Sequence, residues 1–86
     1  MPRISEFYGI VIAMYWREHQ PPHFHAIYGE FDAEFQIDPL RHTHGKFPPR
    51  ALGMVFEWAT QHRDELMADW DRAQAREPLA EIPPLP

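Results

Sequence analysis

Between residues 31 and 37 the chain alternates without interruption. Phe31, Ala33, Phe35 and Ile37 take one side of an extended strand, and Asp32, Glu34 and Gln36 take the other. Upstream, His23 to Tyr28 reads as a second strand, and Gly29-Glu30 as the two-residue turn joining them, with glycine in the first central position of a type II′ turn. Phe7 to Tyr15 reads as another strand. Its β-branched Ile10, Val11 and Ile12, with apolar residues on both faces, suit a central or doubly covered position.

From Pro48-Pro49 onward the period becomes helical. Leu52, Val55, Phe56, Ala59, Leu66, Trp70 and Ala73 share one side, opposite Glu57, Gln61, Asp64, Ala68, Asp71 and Arg72. Proline suits the first helical turn, where its missing N–H costs no hydrogen bond, and Pro78 stops the helix. Trp58 and Trp70 read as core residues, and His62 as a residue at the edge of the apolar stripe. The expected architecture is one α+β domain over residues 1–86. A three-stranded antiparallel β-meander (1–38) packs against one long C-terminal α-helix (48–76), and an extended Pro-rich tail (77–86) follows. In the tail, Leu79, Ile82 and Leu85 recur every third residue, along one edge of a polyproline helix, which predicts a strap docked on the domain or on a partner.

The Gly29-Glu30 turn sets a register. If Tyr28 pairs with Phe31, then Ala26 faces Ala33 and Phe24 faces Phe35 on one apolar face. The other face then carries His25 opposite Glu34, His23 opposite Gln36, and Ile27 beside Asp32.

Composition narrows the chemistry. The chain has 86 residues, 44% hydrophobic and 14% aromatic, which is the make-up of a single folded domain. It has no cysteine, so disulfides and thiolate metal sites are excluded and any metal must be held by histidine and carboxylate. The net charge of −5 opposes bulk nucleic-acid affinity, although Arg41, Lys46 and Arg50 with His42 and His44 form a stretch free of acids. The N-terminal residues lack the apolar core of a signal peptide, and the longest apolar run, Ile10 to Trp16, falls short of the roughly 18 residues of a membrane span. A soluble cytoplasmic protein is expected.

The candidate chemistry lies in Glu18-His19-Gln20-Pro21-Pro22-His23-Phe24-His25, which holds three of the six histidines. Residues two apart on a strand project to one face, so His23 and His25 point together, and His19 would fold back toward them across the prolines. Three uses follow. As a metal-independent ribonuclease, His25 oriented by Glu34 would be the general base and His23 or His19 the acid. Arg17, Lys46 or Arg50 would hold the phosphate, and no cofactor is needed. As a metal site, His19, His23, His25 and Glu34 would be ligands, with Glu18 behind them and zinc as the ion. As an interaction module, the hairpin edge and the Leu/Ile/Pro tail would bind a protein partner.

The segments Ile4-Ser5-Glu6-Phe7-Tyr8-Gly9-Ile10, Glu18 to Glu30, Arg50-Ala51-Leu52 and Glu57-Trp58-Ala59 resemble the bacterial domain-of-unknown-function family 4160 across nearly the whole chain. The resemblance implies a toxin–antitoxin-type component, whose partner is a small antitoxin-like protein of the domain-of-unknown-function 2442 type. His42-Thr43-His44 falls outside the family pattern. The order of strand histidine, hairpin, Gly45 loop and Pro48 helix is also similar to that of HicA-type toxin ribonucleases, by analogy of layout. Together these readings make a small toxin–antitoxin-type protein that binds a partner, with RNA as the substrate if the histidines are catalytic.

Overall fold

A computed structural model describes residues 2–86. Five antiparallel strands form one sheet in chain order: β1 (Arg3–Phe7), β2 (Ile10–Ala13), β3 (His23–Tyr28), β4 (Phe31–Gln36) and β5 (Arg41–His44). Two helices follow, α1 (Pro49–Gln61) and α2 (Arg63–Gln74). The α+β class holds, and three details of the expectation do not.

The expected first strand, Phe7 to Tyr15, is a hairpin and its exit. Tyr8 and Gly9 both adopt positive φ, 50° and 80°, and turn β1 back onto β2. Such a turn matches the twist of the flanking strands, but tyrosine is an unusual first residue for it, so the apolar run hid the reversal. The second difference is β5, the fifth strand. Arg41-His42-Thr43-His44 has no apolar alternation because it is an exposed edge strand, and polar side chains on an edge discourage pairing with another chain.

The third difference is the helix, which breaks at His62 instead of running on to residue 76. His62 has φ −127° and ψ 26°, its N–H bonds back to the Ala59 carbonyl, and α2 starts afresh with Leu66 N–H on the His62 carbonyl. No glycine or proline marks this break. At the other end, Pro48 sits in extended conformation before Pro49, and its carbonyl accepts from Leu52, as the proline pair predicts.

The β3–β4 register is the expected one: Tyr28 pairs with Phe31, Ala26 with Ala33, His25 with Glu34 and His23 with Gln36. Gly29 has φ 58°, as the first central residue of the turn requires. The apolar face carries Phe24, Ala26, Ala33 and Phe35, all buried. Phe24 and Phe35 stack there with ring centroids 5.3 Å apart, and Trp58 and Phe56 of α1 meet them edge-on. Val55, Ala59, Leu66, Trp70 and Ala73 complete this core, while Leu52 and Phe56 are only partly covered.

The Pro-rich tail is docked. Ile82 and Leu85 are buried, the Ile82 N–H donates to the Ile4 carbonyl, and the Trp58 indole N–H donates to the Pro83 carbonyl at 2.8 Å. Asp69, fully buried on α2, accepts from the Ala80 N–H and the Arg72 guanidinium, both at 2.8 Å. Neither helix is long and apolar enough to cross a membrane.

Candidate metal centre

The site forms where the β2–β3 loop folds over the start of β3. As the central strand, β3 is covered on both faces at its first four residues, so His23 and His25 are buried although they lie on the face opposite Phe24. The small Ala13 pairs with His25 in the neighbouring strand, and Tyr15, two residues past the end of β2, meets the imidazole edge-on at 4.6 Å. Trp70 of α2 lies 5.2 Å from the His23 ring.

Glu18 reaches this pair because α2 holds the loop. The Arg17 N–H donates to the Ala73 carbonyl, and Gln74 donates its side-chain amide to the Glu18 carbonyl at 3.0 Å. Arg17 itself adopts φ 60°, a left-handed conformation that reverses the chain there. With its backbone pinned, Glu18 turns its carboxylate inward onto both rings.

One carboxylate oxygen, Oε1, lies 2.8 Å from His25 Nε2 and 3.3 Å from His23 Nε2. One ligating atom from each of Glu18, His23 and His25 falls within 4.8 Å of the others. The protonation pattern can be read from the partners. A carbonyl oxygen only accepts, so the contact of His23 Nδ1 with the Pro21 carbonyl, 2.9 Å, places a proton on Nδ1. In the neutral ring Nε2 then carries a lone pair, and that atom is buried with no hydrogen-bond partner. A lone pair facing a carboxylate at this distance is electrostatically unfavourable, and a cation between them removes the conflict.

The sequence-predicted site residues divide. His23 and His25 come together as expected. Glu34 pairs across the ladder with His25, but its carboxylate turns to His44 on β5, 3.2 Å from Nδ1. Glu18 therefore replaces Glu34 as the carboxylate on His25, because the unforeseen fifth strand supplies Glu34 with a closer histidine. His19 stays exposed with its ring 6.1 Å from that of His23, outside the tight group. It lines an adjoining cleft of about 240 Å³ with His23, Glu34, Gln36, Thr43 and His44.

The cations lie elsewhere. Among the described residues no lysine or arginine lines that cleft, and Arg50 borders a different one with Tyr8 and Tyr28. Arg17 and Lys46 are exposed. Sequence reasoning missed Glu18 as a direct partner of the rings, since the contacts that turn it inward come from residues more than fifty positions away. It also missed Asp32, whose Oδ1 lies 3.9 Å from His25 Nδ1, and Tyr15. Burial first, then the charges of Asp32 and Glu18, raise the Tyr15 phenol above its ordinary value of 10.0.

No curated protein and no solved structure matches the chain. A family model does match, over residues 9–71, a stretch that includes β2 to β5, the Glu18–His25 segment, all of α1 and most of α2. The chain that carries this buried Glu-His-His group belongs to the family described as Domain of unknown function (DUF4160).

Proposed function

We propose that this protein binds a divalent transition-metal ion, zinc, through Glu18, His23 and His25. The observation that carries the reading is His23 Nε2, a buried lone pair without a partner beside a carboxylate oxygen at 3.3 Å. Two ligands of one tetrahedral zinc ion stand about 3.3 Å apart, given bonds of about 2.0–2.1 Å. The His23–Glu18 separation has that value. Two histidines and a carboxylate form a donor set that leaves the fourth position for water or substrate, as in catalytic rather than structural zinc sites. The His23 Nδ1–H bond to Pro21 also supports the reading, since ligating imidazoles usually donate their other nitrogen and are oriented by it.

The test is calorimetric titration of zinc into protein freed of metal by chelation. One ion per chain is expected, with binding lost in Glu18→Gln and in His23→Ala. A folded wild-type protein that takes up no zinc would overturn the reading.

A second reading keeps the toxin–antitoxin-type component with His-based ribonuclease activity and a small protein partner. The 2.8 Å contact of His25 Nε2 with Glu18 favours it, since a carboxylate-oriented imidazole suits general acid–base work. The absence of lysine and arginine from the His23 cleft, among the described residues, argues against a phosphodiester held there. Exposed Tyr8, Trp16, Tyr28 and Phe31 support a protein partner more than a nucleic acid. RNA cleavage unaffected by chelator and abolished by His25→Ala would select this reading over the metal.

A further inference from the structure

Asp32 stands diagonally across the β3–β4 ladder from His25. His25 pairs with Glu34 and Ile27 with Asp32, so Asp32 lies one same-face position nearer the hairpin turn than Glu34. Such diagonal neighbours are within reach of long side chains, and Asp32 Oδ1 lies 3.9 Å from His25 Nδ1. The imidazole thus stands between two carboxylates, Glu18 at Nε2 and Asp32 at Nδ1.

A neutral imidazole has one N–H and can serve only one of these carboxylates as donor. Without metal, the short contact to Glu18 fixes that proton on Nε2. The lone pair on Nδ1 then faces the Asp32 carboxylate, and the pair stays beyond hydrogen-bond distance. A metal on Nε2 reverses the arrangement.

We propose that Asp32 is the positioning residue of the metal-bound state. It receives the Nδ1–H that His25 acquires when an ion takes Nε2, and so orients the ring toward the ion. The inference rests on the metal reading above. Protons balance: the ion displaces one from Nε2 to solvent, one is taken up at Nδ1, and the ring remains neutral. Asp32 is free to close the gap, because its side chain is 63% exposed, whereas the His25 ring is held at 11%. Glu34 is not the residue for this role, since its carboxylate lies against His44.

The experiment compares wild type, Asp32→Ala and Asp32→Asn in zinc affinity, together with the nitrogen-15 spectrum of His25 with and without zinc. Loss of a carboxylate behind a ligating histidine lowers metal affinity about 10–100-fold. Asp32→Ala should show that loss with an unchanged melting temperature in the metal-free state. Asp32→Asn should recover part of it through its amide oxygen. In wild type the His25 proton should sit on Nε2 without zinc and on Nδ1 with it. Zinc affinity equal in wild type and Asp32→Ala, or the same tautomer in both states, would overturn the assignment to Asp32 while leaving the metal site standing. Wild-type protein that binds no zinc would overturn both.

Discussion

His23 donates from Nδ1 to the carbonyl oxygen of Pro21 across 2.9 Å, and this one bond determines what the rest of the ring presents. With the proton held there, Nε2 meets the Glu18 carboxylate as an acceptor facing an acceptor, and the pocket has an unmet demand for positive charge.

Zinc should meet that demand and stabilise the fold. At a hundredfold excess over the dissociation constant, the mass-action gain is about 2.7 kcal/mol, visible as a rise in melting temperature. Protons compete for the same nitrogens, so the zinc-induced rise should shrink as pH is lowered. A shift that is the same in Glu18→Gln as in wild type would place the ion elsewhere.

Leu66 is completely buried and Trp70 is 2% exposed, both on α2. Truncating either to alanine should destabilise by about 2–5 kcal/mol, measured by chemical denaturation. Trp70→Ala should also weaken zinc binding, because the indole packs against the His23 ring. Leu66→Ala should leave zinc binding intact in whatever fraction remains folded.

The tail is held by side chains that point at backbone. Trp58→Phe keeps an aromatic ring but deletes the donor to Pro83, and should cost about 0.5–1.5 kcal/mol. Asp69→Ala removes the acceptor for the Ala80 N–H and for Arg72, and should cost about 1–3 kcal/mol. In both variants limited proteolysis should cut between Pro78 and Leu85 sooner than in wild type. Unchanged protection there would show that the strap is held by apolar burial alone.

Tyr15 offers a pH-dependent readout of the same pocket. Burial raises its phenol above 10.0, and the charges of Asp32 and Glu18 raise it further. A raised folded value means the folded state keeps the proton longer than the unfolded chain. The associated stability is full below about pH 10 and is lost as pH climbs through the folded value. Phenolate absorbance should therefore develop at higher pH in wild type than in Asp32→Asn. Bound zinc, by offsetting the Glu18 charge, should bring it down as well.

What was legible in the sequence, and what was not, follows the range of the forces involved. Phe31 to Ile37 and the Gly29 turn are local patterns, and they yielded the β3–β4 register and the shared face of His23 and His25 without error. The Pro48-Pro49 start of α1 and the core roles of Trp58 and Trp70 were legible for the same reason. Tyr8-Gly9 hid inside an apolar run, and β5 has no apolar alternation at all. The break at His62 carries no glycine or proline, and its local marks, Asp64 and Glu65 in the first turn of α2, are equally at home inside a continuous helix. Glu34 pairs with His25 as expected, but the carboxylate in contact with that ring is Glu18, because cross-strand pairing alone does not say which way a side chain leans. Glu18 is turned inward by Ala73 and Gln74, contacts that no short window contains.

The bond between Ile82 and Ile4 has a topological consequence. It joins positions near opposite ends of the described chain and makes the backbone an almost closed ring. Among the hydrogen bonds of the described residues it spans the longest stretch of sequence, and non-local contacts of that kind slow folding. The strap should therefore form late and fray first, which early hydrogen exchange at the Ile82 amide would show. When it lifts, the Trp58 indole and the Asp69 carboxylate lose partners together, so fraying there opens the underside of both helices as one cooperative unit.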